Sequence, residues 1–172
     1  MKEKYTKPLN ALMLKDNFLD DEDFDKLSKA IESPYMPYYI QNGCAKEGDD
    51  KPLMTHFIVD FNQEIISSAY ELVAKPLIKK LNCFRILRLK INCYPKSHKP
   101  IFSDWHIDLG CYHKVCLFNV NDNNGYTDFK NKKLVVGKSL KNSALFFDGK
   151  EEHRSVSQTD ALWRYNINID YE

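Results

Sequence analysis

The chain has 172 residues, enough to bury the core of one domain. Its 25 Lys and Arg residues against 24 Asp and Glu give a net charge of +1, so charge alone gives no reason to expect a polyanionic partner such as nucleic acid. The five cysteines include no C-x-x-C pair, which argues against a disulfide framework or a cysteine zinc site and favours a reducing compartment. The sequence has no stretch approaching 18 apolar residues and no secretory apolar core near Met1. We therefore expect a soluble, cytoplasmic protein.

The first predicted element is a helix within residues 19–33. Phe24, Leu27 and Ile31 recur at helical spacing after an acidic first turn, and acidic side chains stabilise a helix N-terminus. Residues 34–52 contain several prolines and glycines, which predicts a loop.

A second amphipathic helix is predicted over residues 62–81. Ile65, Ala69 and Leu72 would share its apolar face. Pro76 is expected to kink or end this helix because proline lacks a backbone N–H and its ring clashes with the preceding turn.

From Phe84 onward the pattern changes to short strands. Residues 84–94 alternate polar Arg88, Lys90 and Asn92 with apolar neighbours, which predicts a half-buried strand. Further short apolar runs follow, separated by turn-forming residues, at 100–108, 114–120, 133–137, 143–148, 154–157 and 162–171. This pattern predicts an α+β protein with a jelly-roll core of about eight antiparallel strands, flanked by the N-terminal helices. We interpret residues 1–172 as one domain, with 1–82 as a helical and irregular support region and 83–172 as the catalytic core.

The stretch DWHIDLG, residues 104–110, holds the first candidate site residues. Asp104 and Asp108 each lie two residues from His106, so a strand would place all three side chains on one face, and either carboxylate could bind a metal with the imidazole. His153 follows a turn, at the start of a strand that could run beside this one. Two imidazoles and one carboxylate leave three of six octahedral positions open, as in the 2-His-1-carboxylate triad of non-haem Fe(II) oxygenases. His113 is an alternative ligand, although its position at a strand entry favours a solvated histidine.

The open positions of such a site would take a keto-acid cosubstrate and dioxygen, and the keto acid needs a cation to bind it. The distal carboxylate of a keto acid is buried and is best held by a bidentate guanidinium. Arg164 lies eleven residues after His153, separated from it by about one strand and a turn. Arg154 is not expected to serve, because its side chain should point away from the face that His153 occupies.

Together, His106-Ile107-Asp108, His153 and Arg164 resemble the signature of the Fe(II)/2-oxoglutarate-dependent oxygenases, which have the double-stranded β-helix fold. The order of that signature favours Asp108 over Asp104 as the ligand. CYP at 93–95 looks like the prolyl hydroxylase segment that carries a cosubstrate-contacting tyrosine, here Tyr94. NNGYTDF and SALFFD look like further parts of the family's core.

Two departures from the prolyl hydroxylase pattern are visible. The strand after H-x-D offers Phe118 and Asn119 where a second cosubstrate-contacting polar residue is usual. The motifs N-x-Y, formed by Asn92 and Tyr94, and R-Y-N, beginning at Arg164, are similar to AlkB-type nucleic-acid demethylases. A second arginine further along that last strand, present in those enzymes, is missing.

The resemblance implies an enzyme that binds Fe(II), 2-oxoglutarate and O2, with ascorbate as a reductant in vitro, and that releases succinate and CO2. His106, Asp108 and His153 would hold the iron, and Arg164, Tyr94 and Asn92 the cosubstrate. We expect a prolyl hydroxylase-like enzyme acting on a protein or peptide. The alternatives are an AlkB-like nucleic-acid demethylase, a non-catalytic metal-binding β-helix module and a zinc hydrolase.

Overall fold

The computed structural model describes residues 12–45, 49, 51–131 and 139–172. Within these ranges the strands are β1 (Met13–Lys15), β2 (Tyr39–Gln41), β3 (Leu53–Val59), β4 (Ile86–Pro95), β5 (Lys114–Asn119), β6 (Tyr126–Phe129), β7 (Ser143–Asp148), β8 (His153–Val156) and β9 (Trp163–Tyr171). The helices are α1 (Asp21–Ile31) and α2 (Lys75–Leu81), the latter preceded by a π-helical turn at Tyr70–Ala74. The predicted run at 133–137 lies outside the described residues.

The strands form two antiparallel sheets. The main sheet has seven strands in the order β1-β7-β5-β9-β4-β3-β2, and β6 pairs with β8 in a second, two-stranded sheet. Strand β1 pairs with β7, β5 with β7 and β9, and β4 with β9, so these neighbours are far apart in sequence, as expected for a jelly roll, whereas β2, β3 and β4 follow one another. The predicted jelly-roll architecture is confirmed.

Helix α1 begins where its sequence signals placed it. The Asp20 carboxylate accepts a hydrogen bond from the Asp23 backbone N–H at 2.9 Å, and acidic residues fill the first turn. Leu27 and Ile31 are fully buried. The helix thus combines a favourable N-cap with an apolar face directed into the core.

The second predicted helix is shorter than expected. Residues 62–69 are not helical, and α2 begins at Lys75, with Pro76 in its first turn. Proline is tolerated there because the first N–H groups of a helix have no intrahelical partner. Of the predicted apolar face, Ala69 packs against the core, but Ile65 and Leu72 are more than half exposed and Val73 is buried instead.

The N-terminal region contributes strands that the sequence reading missed. Strand β1 pairs with β7, and β2 and β3 extend the main sheet beyond β4. The region 1–82 is therefore not only helical and irregular, and residues 34–52, predicted as a loop, include β2. Conversely, the predicted strand at 100–108 is irregular and joins the two-stranded sheet only through isolated bridges of Phe102 to Val156 and of His106 to His153.

The two faces of the main sheet have different partners. One face packs against α1, the π-helical turn and α2 through a large apolar cluster that includes Leu89, Ile91, Ile167 and Ile169. The opposite face meets the two-stranded sheet through the smaller cluster Val115, Leu117, Phe129, Leu145 and Phe147. The space between the sheets is thus only partly filled by apolar side chains, and the remainder is polar.

Two further findings concern the cysteines and the length of the helices. All five cysteines are unpaired in the structure. Among the described residues, neither helix is long and apolar enough to span a bilayer.

Candidate metal and cosubstrate site

Three potential metal ligands meet between the two sheets. The donor atoms of His106, Asp108 and His153 all lie within 4.8 Å of one another. His106 and His153 form an antiparallel bridge in which each backbone N–H donates to the other's carbonyl oxygen at 3.0 Å. This bridge brings together two imidazoles that are 47 residues apart in the sequence, with ring centroids 4.6 Å apart.

Both imidazoles are oriented by backbone carbonyl groups. Nδ1 of His106 lies 3.1 Å from the carbonyl oxygen of Asp104, and Nδ1 of His153 lies 2.9 Å from that of Glu151. A proton on Nδ1 leaves the Nε2 lone pair free to bind a metal. Burial, assisted by the neighbouring His153, lowers the pKa of His106, which favours the neutral ring that ligation requires.

The Asp108 carboxylate is held by three neighbours. Arg88 donates to Oδ1 at 2.8 Å, the side-chain amide of Asn168 lies 3.2 Å from both oxygens, and Oδ2 lies 3.4 Å from Nε2 of His153. Burial acts to raise the pKa of Asp108, but His153 and the cations Arg88 and Lys90 outweigh it and hold the pKa below its usual range. The carboxylate is therefore ionised, with Oδ2 directed towards the imidazole.

A buried ionic network supports this arrangement from behind. Nε of Arg88 donates to Asp170 at 2.7 Å, and Nε2 of His113 lies 3.4 Å from the other oxygen of Asp170. Burial acts to lower the pKa of His113, but the adjacent Asp170 carboxylate and the Cys111 carbonyl outweigh it and raise the pKa. Arg88 thus bridges two carboxylates, and its position depends on both.

Two rows of polar side chains line the same cavity. Lys90, Asn92 and Tyr94 on β4 lie opposite Asn168, Asn166 and Arg164 on β9, in register, and all six line the cavity with the three candidate ligands. The alternation of β4 was expected to turn its polar side chains towards solvent. Instead the polar row faces the protein interior, and Asn92 is only 3% exposed.

Arg164 is a buried cation at the far end of this cavity. Its side chain is 1% exposed and lies over the Tyr94 ring, 5.2 Å from the centroid. Nη1 donates to the carbonyl oxygen of Val156 at 2.9 Å and lies 3.3 Å from Oγ of Ser155, whereas Nε has no hydrogen-bond partner within the part of the chain that the structure describes. No carboxylate of the described residues pairs with this guanidinium. Burial lowers the pKa of Arg164 because it disfavours the charged form. A buried arginine without a counterion is suited to bind an anionic ligand.

The other two predicted cosubstrate residues line the same cavity. The amide of Asn92 donates to Oδ1 of Asn166 at 2.9 Å, while its own Oδ1 is buried and has no hydrogen-bond partner in the described ranges. Tyr94 packs beneath Arg164, and burial raises the pKa of its phenol far above the usual value. The structure therefore brings together all six residues predicted for the site.

The segment that carries His106 is held from outside by a cation between two aromatic rings. The guanidinium carbon of Arg154 lies 4.2 Å from the ring centroid of Trp105 and 4.5 Å from that of Phe102. Asp128 on β6 accepts hydrogen bonds from the same guanidinium at 2.8 and 2.9 Å. Arg154 thus points away from the cavity and fixes the irregular segment to the two-stranded sheet.

Other candidates take different positions. The Asp104 carboxylate is outside the group of three ligand atoms. His113, expected to be solvated, is fully buried beside Asp170, and His56 is buried on β3 with hydrogen bonds to Pro37 and Ser67. Asn119 donates to Ser143 at 3.1 Å and does not line the cavity.

Arg88 and Asn168 hold the candidate metal ligand, but the sequence reading did not assign them that role. In the sequence, Arg88 and Lys90 are recognisable only as polar positions of a predicted half-buried strand. The available signal was the polar row on each of β4 and β9, since two such rows side by side form a polar interior when both faces of the sheet are covered.

No family model and no curated protein matches the sequence. Solved structures do match the fold. A 2OG-Fe(II) oxygenase family oxidoreductase from Burkholderia pseudomallei superimposes with a TM-score of 0.67 at 10% identity, covering 94% of this chain and 84% of that one.

Two prolyl hydroxylases have the same fold. One, from Trichoplax adhaerens in complex with a hypoxia inducible factor oxygen degradation domain peptide fragment, gives a TM-score of 0.68 at 14% identity over 95% of this chain and 84% of that one. A Pseudomonas putida prolyl-4-hydroxylase gives 0.58 at 11% identity over 94% and 91%. At these identities the similarity establishes the fold.

Proposed function

We propose that this chain, which has the fold of the 2OG-Fe(II) oxygenases, is an Fe(II)- and 2-oxoglutarate-dependent oxygenase that hydroxylates a protein or peptide substrate in the manner of a prolyl hydroxylase. The observation that carries the proposal is one cavity holding three convergent ligand atoms and, beyond them, a buried arginine that pairs with no carboxylate of the described residues.

The ligand set fits iron. The three donor atoms lie within 4.8 Å of one another, and Oδ2 of Asp108 lies 3.4 Å from Nε2 of His153, so they could converge on one ion. The donors are two imidazole nitrogens and one carboxylate oxygen, the combination typical of non-haem Fe(II) sites with open positions. Arg88 and Asn168 donate to the carboxylate and orient it, as hydrogen-bonding neighbours of metal-binding carboxylates do.

The far end of the cavity fits a dicarboxylate. Arg164 supplies charge and direction for a distal carboxylate, and Tyr94 beneath it keeps water away from the pair. Asn92 and Asn166 lie between Arg164 and the candidate metal ligands, where they can bind the polar atoms of a ligand spanning the two ends. When bound, iron with 2-oxoglutarate and O2 supplies oxidising chemistry that yields succinate, CO2 and an oxygenated substrate.

A larger adjoining pocket can admit the substrate. This pocket has a volume of about 210 Å³ and shares Cys44, Tyr94 and Ser155 with the candidate metal cavity. Its remaining lining includes prolines, serines and the partly exposed segment 95–98. A substrate in this pocket would therefore lie beside the candidate metal cavity. The peptide-bound prolyl hydroxylase among the similar structures supports a peptide as the substrate class.

The proposal is tested by iron-dependent turnover. The protein is incubated with Fe(II), ascorbate, 2-oxoglutarate and a panel of proline peptides, methylated oligonucleotides and free amino acids. Succinate is quantified, and mass spectrometry detects the gain of one oxygen atom. We expect succinate formation that depends on iron and is stimulated by a proline peptide.

Substitution of the ligands provides the matched control. His106→Ala, Asp108→Ala and His153→Ala should each abolish activity, because two remaining protein ligands do not hold the ion in a facial arrangement. Asp104→Ala removes a carboxylate from the same segment and should be much milder. Absence of both 2-oxoglutarate binding and succinate formation in the wild-type protein would overturn the proposal. Stimulation by methylated oligonucleotides alone would instead identify a demethylase.

A further inference from the structure

We propose that Lys90 binds a carboxylate of the substrate, so that the preferred substrate carries an acidic group close to the carbon that reacts. This inference rests on the proposed function, since it concerns the same cavity. Lys90 lines the cavity together with the three candidate ligands. Its ammonium has no ion pair and no hydrogen bond to any residue in the described ranges, in contrast to its strand neighbour Arg88.

Lys90 takes no part in the ion pairs around the cavity. Arg88 lies between the carboxylates of Asp108 and Asp170, and Arg164, at the far end, is the cation proposed for the distal carboxylate of the cosubstrate. Among the described residues that line the cavity, Lys90 is then the cation with neither an ion pair nor an assigned ligand, and a partly buried charge is costly without a partner. A substrate carboxylate supplies that partner.

The position of Lys90 places this partner at the metal end of the cavity. Lys90 lies opposite Asn168, whose side-chain amide contacts Asp108. Tyr94, four residues further along β4, lies opposite Arg164. Four residues of a strand span about 13 Å, so the two cations mark opposite ends of the cavity. A distal cosubstrate carboxylate at Arg164 therefore leaves Lys90 for a different anionic group.

A carboxylate can come from an acidic residue in a peptide or from a small amino acid, and matched probes separate these sources. One pair consists of proline peptides with Glu or Gln beside the proline. The other pair consists of L-proline and L-prolinamide. Binding to protein loaded with Mn(II) and 2-oxoglutarate is measured by the relaxation of water protons at the metal, and succinate formation is measured with Fe(II).

In the wild-type protein the acidic member of one pair should bind about tenfold more tightly than its amide, as expected for a hydrogen-bonded charge pair. Lys90→Met should remove this preference, and the comparison is made in protein saturated with Mn(II) and 2-oxoglutarate, whose affinities are measured separately for each variant. Lys90→Arg should retain part of the preference, and Lys79→Met, at an exposed lysine of α2, should retain all of it.

Three outcomes would overturn the inference. Equal binding of acid and amide in both pairs by the wild-type protein excludes a substrate carboxylate at this position. An acid preference that survives in Lys90→Met assigns it to another residue. A large loss of 2-oxoglutarate affinity in Lys90→Met shows that Lys90 holds the cosubstrate. Failure of wild-type protein to bind 2-oxoglutarate at all would count against the proposed function itself.

Discussion

Replacement of Arg164 by alanine tests the predicted cosubstrate site most directly. The guanidinium is buried, its Nε has no partner, and the hydrogen bonds it makes within the described residues go to Val156 and Ser155. In Arg164→Ala the distal carboxylate of 2-oxoglutarate would enter the same buried position without a cation. Leaving one charge of a buried pair uncompensated costs about 3–5 kcal/mol, which corresponds to roughly two to four orders of magnitude in affinity.

The measurement is 2-oxoglutarate affinity under anaerobic conditions, with Mn(II) as a redox-quiet metal. Arg164→Ala should leave Mn(II) affinity nearly unchanged, because the side chain lies at the opposite end of the cavity from Asp108. Arg164→Lys should recover part of the loss, since a point charge replaces the guanidinium without its bidentate geometry. Arg85→Ala, which removes an exposed arginine paired with Glu172, is the matched control.

Equal 2-oxoglutarate affinity in Arg164→Ala and the wild-type protein would refute this reasoning. Lys90 or Arg88 would then be the cation that holds the carboxylate. A fall in affinity accompanied by loss of the folded structure would carry no information about binding, so thermal unfolding is measured for each variant. If Arg164→Ala does not fold, Arg164→Lys keeps a long cationic side chain in place and still tests whether the bidentate geometry of the guanidinium contributes to 2-oxoglutarate affinity.

Three further substitutions test the surroundings of the site. In Gly125→Ala the new methyl group would lie 3.0 Å from Cδ of Arg164, so 2-oxoglutarate affinity should fall, though less than in Arg164→Ala. Arg154→Gln removes the cation between Phe102 and Trp105 and should weaken Mn(II) binding by up to about tenfold, because the segment carrying a candidate ligand is loosened. In His113→Gln the pH dependence of stability should change. Burial opposes but does not prevent the rise in the pKa of His113, so its charged form stabilises the fold below the ordinary histidine pKa, and this stabilisation is lost as pH rises through the raised value.

Each of these predictions has a contradicting outcome. Unchanged cosubstrate affinity in Gly125→Ala would mean that a displacement of the Arg164 side chain does not affect 2-oxoglutarate binding. Wild-type Mn(II) affinity in Arg154→Gln would show that the contacts of Arg154 with Phe102 and Trp105 do not support metal binding. For His113, the stability difference between wild type and variant is measured by chemical denaturation from about pH 6 to pH 9 in the metal-free protein. A difference that does not shrink as pH rises would argue against a charged His113–Asp170 pair.

The residues of the candidate site were largely visible in the sequence. H-x-D, a distal histidine and a following arginine occur in a fixed order along short strands, and this order selects His106, Asp108, His153 and Arg164 without coordinates. Helix α1 was predictable because its signals are local, namely an N-capping aspartate, an acidic first turn and apolar residues at helical spacing. The jelly-roll class followed from many short strands separated by turn residues.

The tertiary structure alone decided which face of each strand is interior. The alternation of β4 predicts a strand, but the same alternation describes a solvated face or a polar cavity. Strand β9 beside β4, and the two-stranded sheet across the cavity, convert the row of Lys90, Asn92 and Tyr94 into a buried lining. His113 and His56 are also buried by tertiary contacts. The residues that cover them are distant in sequence or lie outside any local pattern.

Contacts across long sequence separations also decided the support of the candidate ligands. Arg88 precedes Asp108 by 20 residues and Asp170 by 82, and a local pattern carries no information about such pairs. Likewise, β1 to β3 join the main sheet by pairing with strands whose edges become available only in the folded protein. Periodicity reports what a segment can bury, whereas the identity of the burying partner depends on the assembly of all the strands.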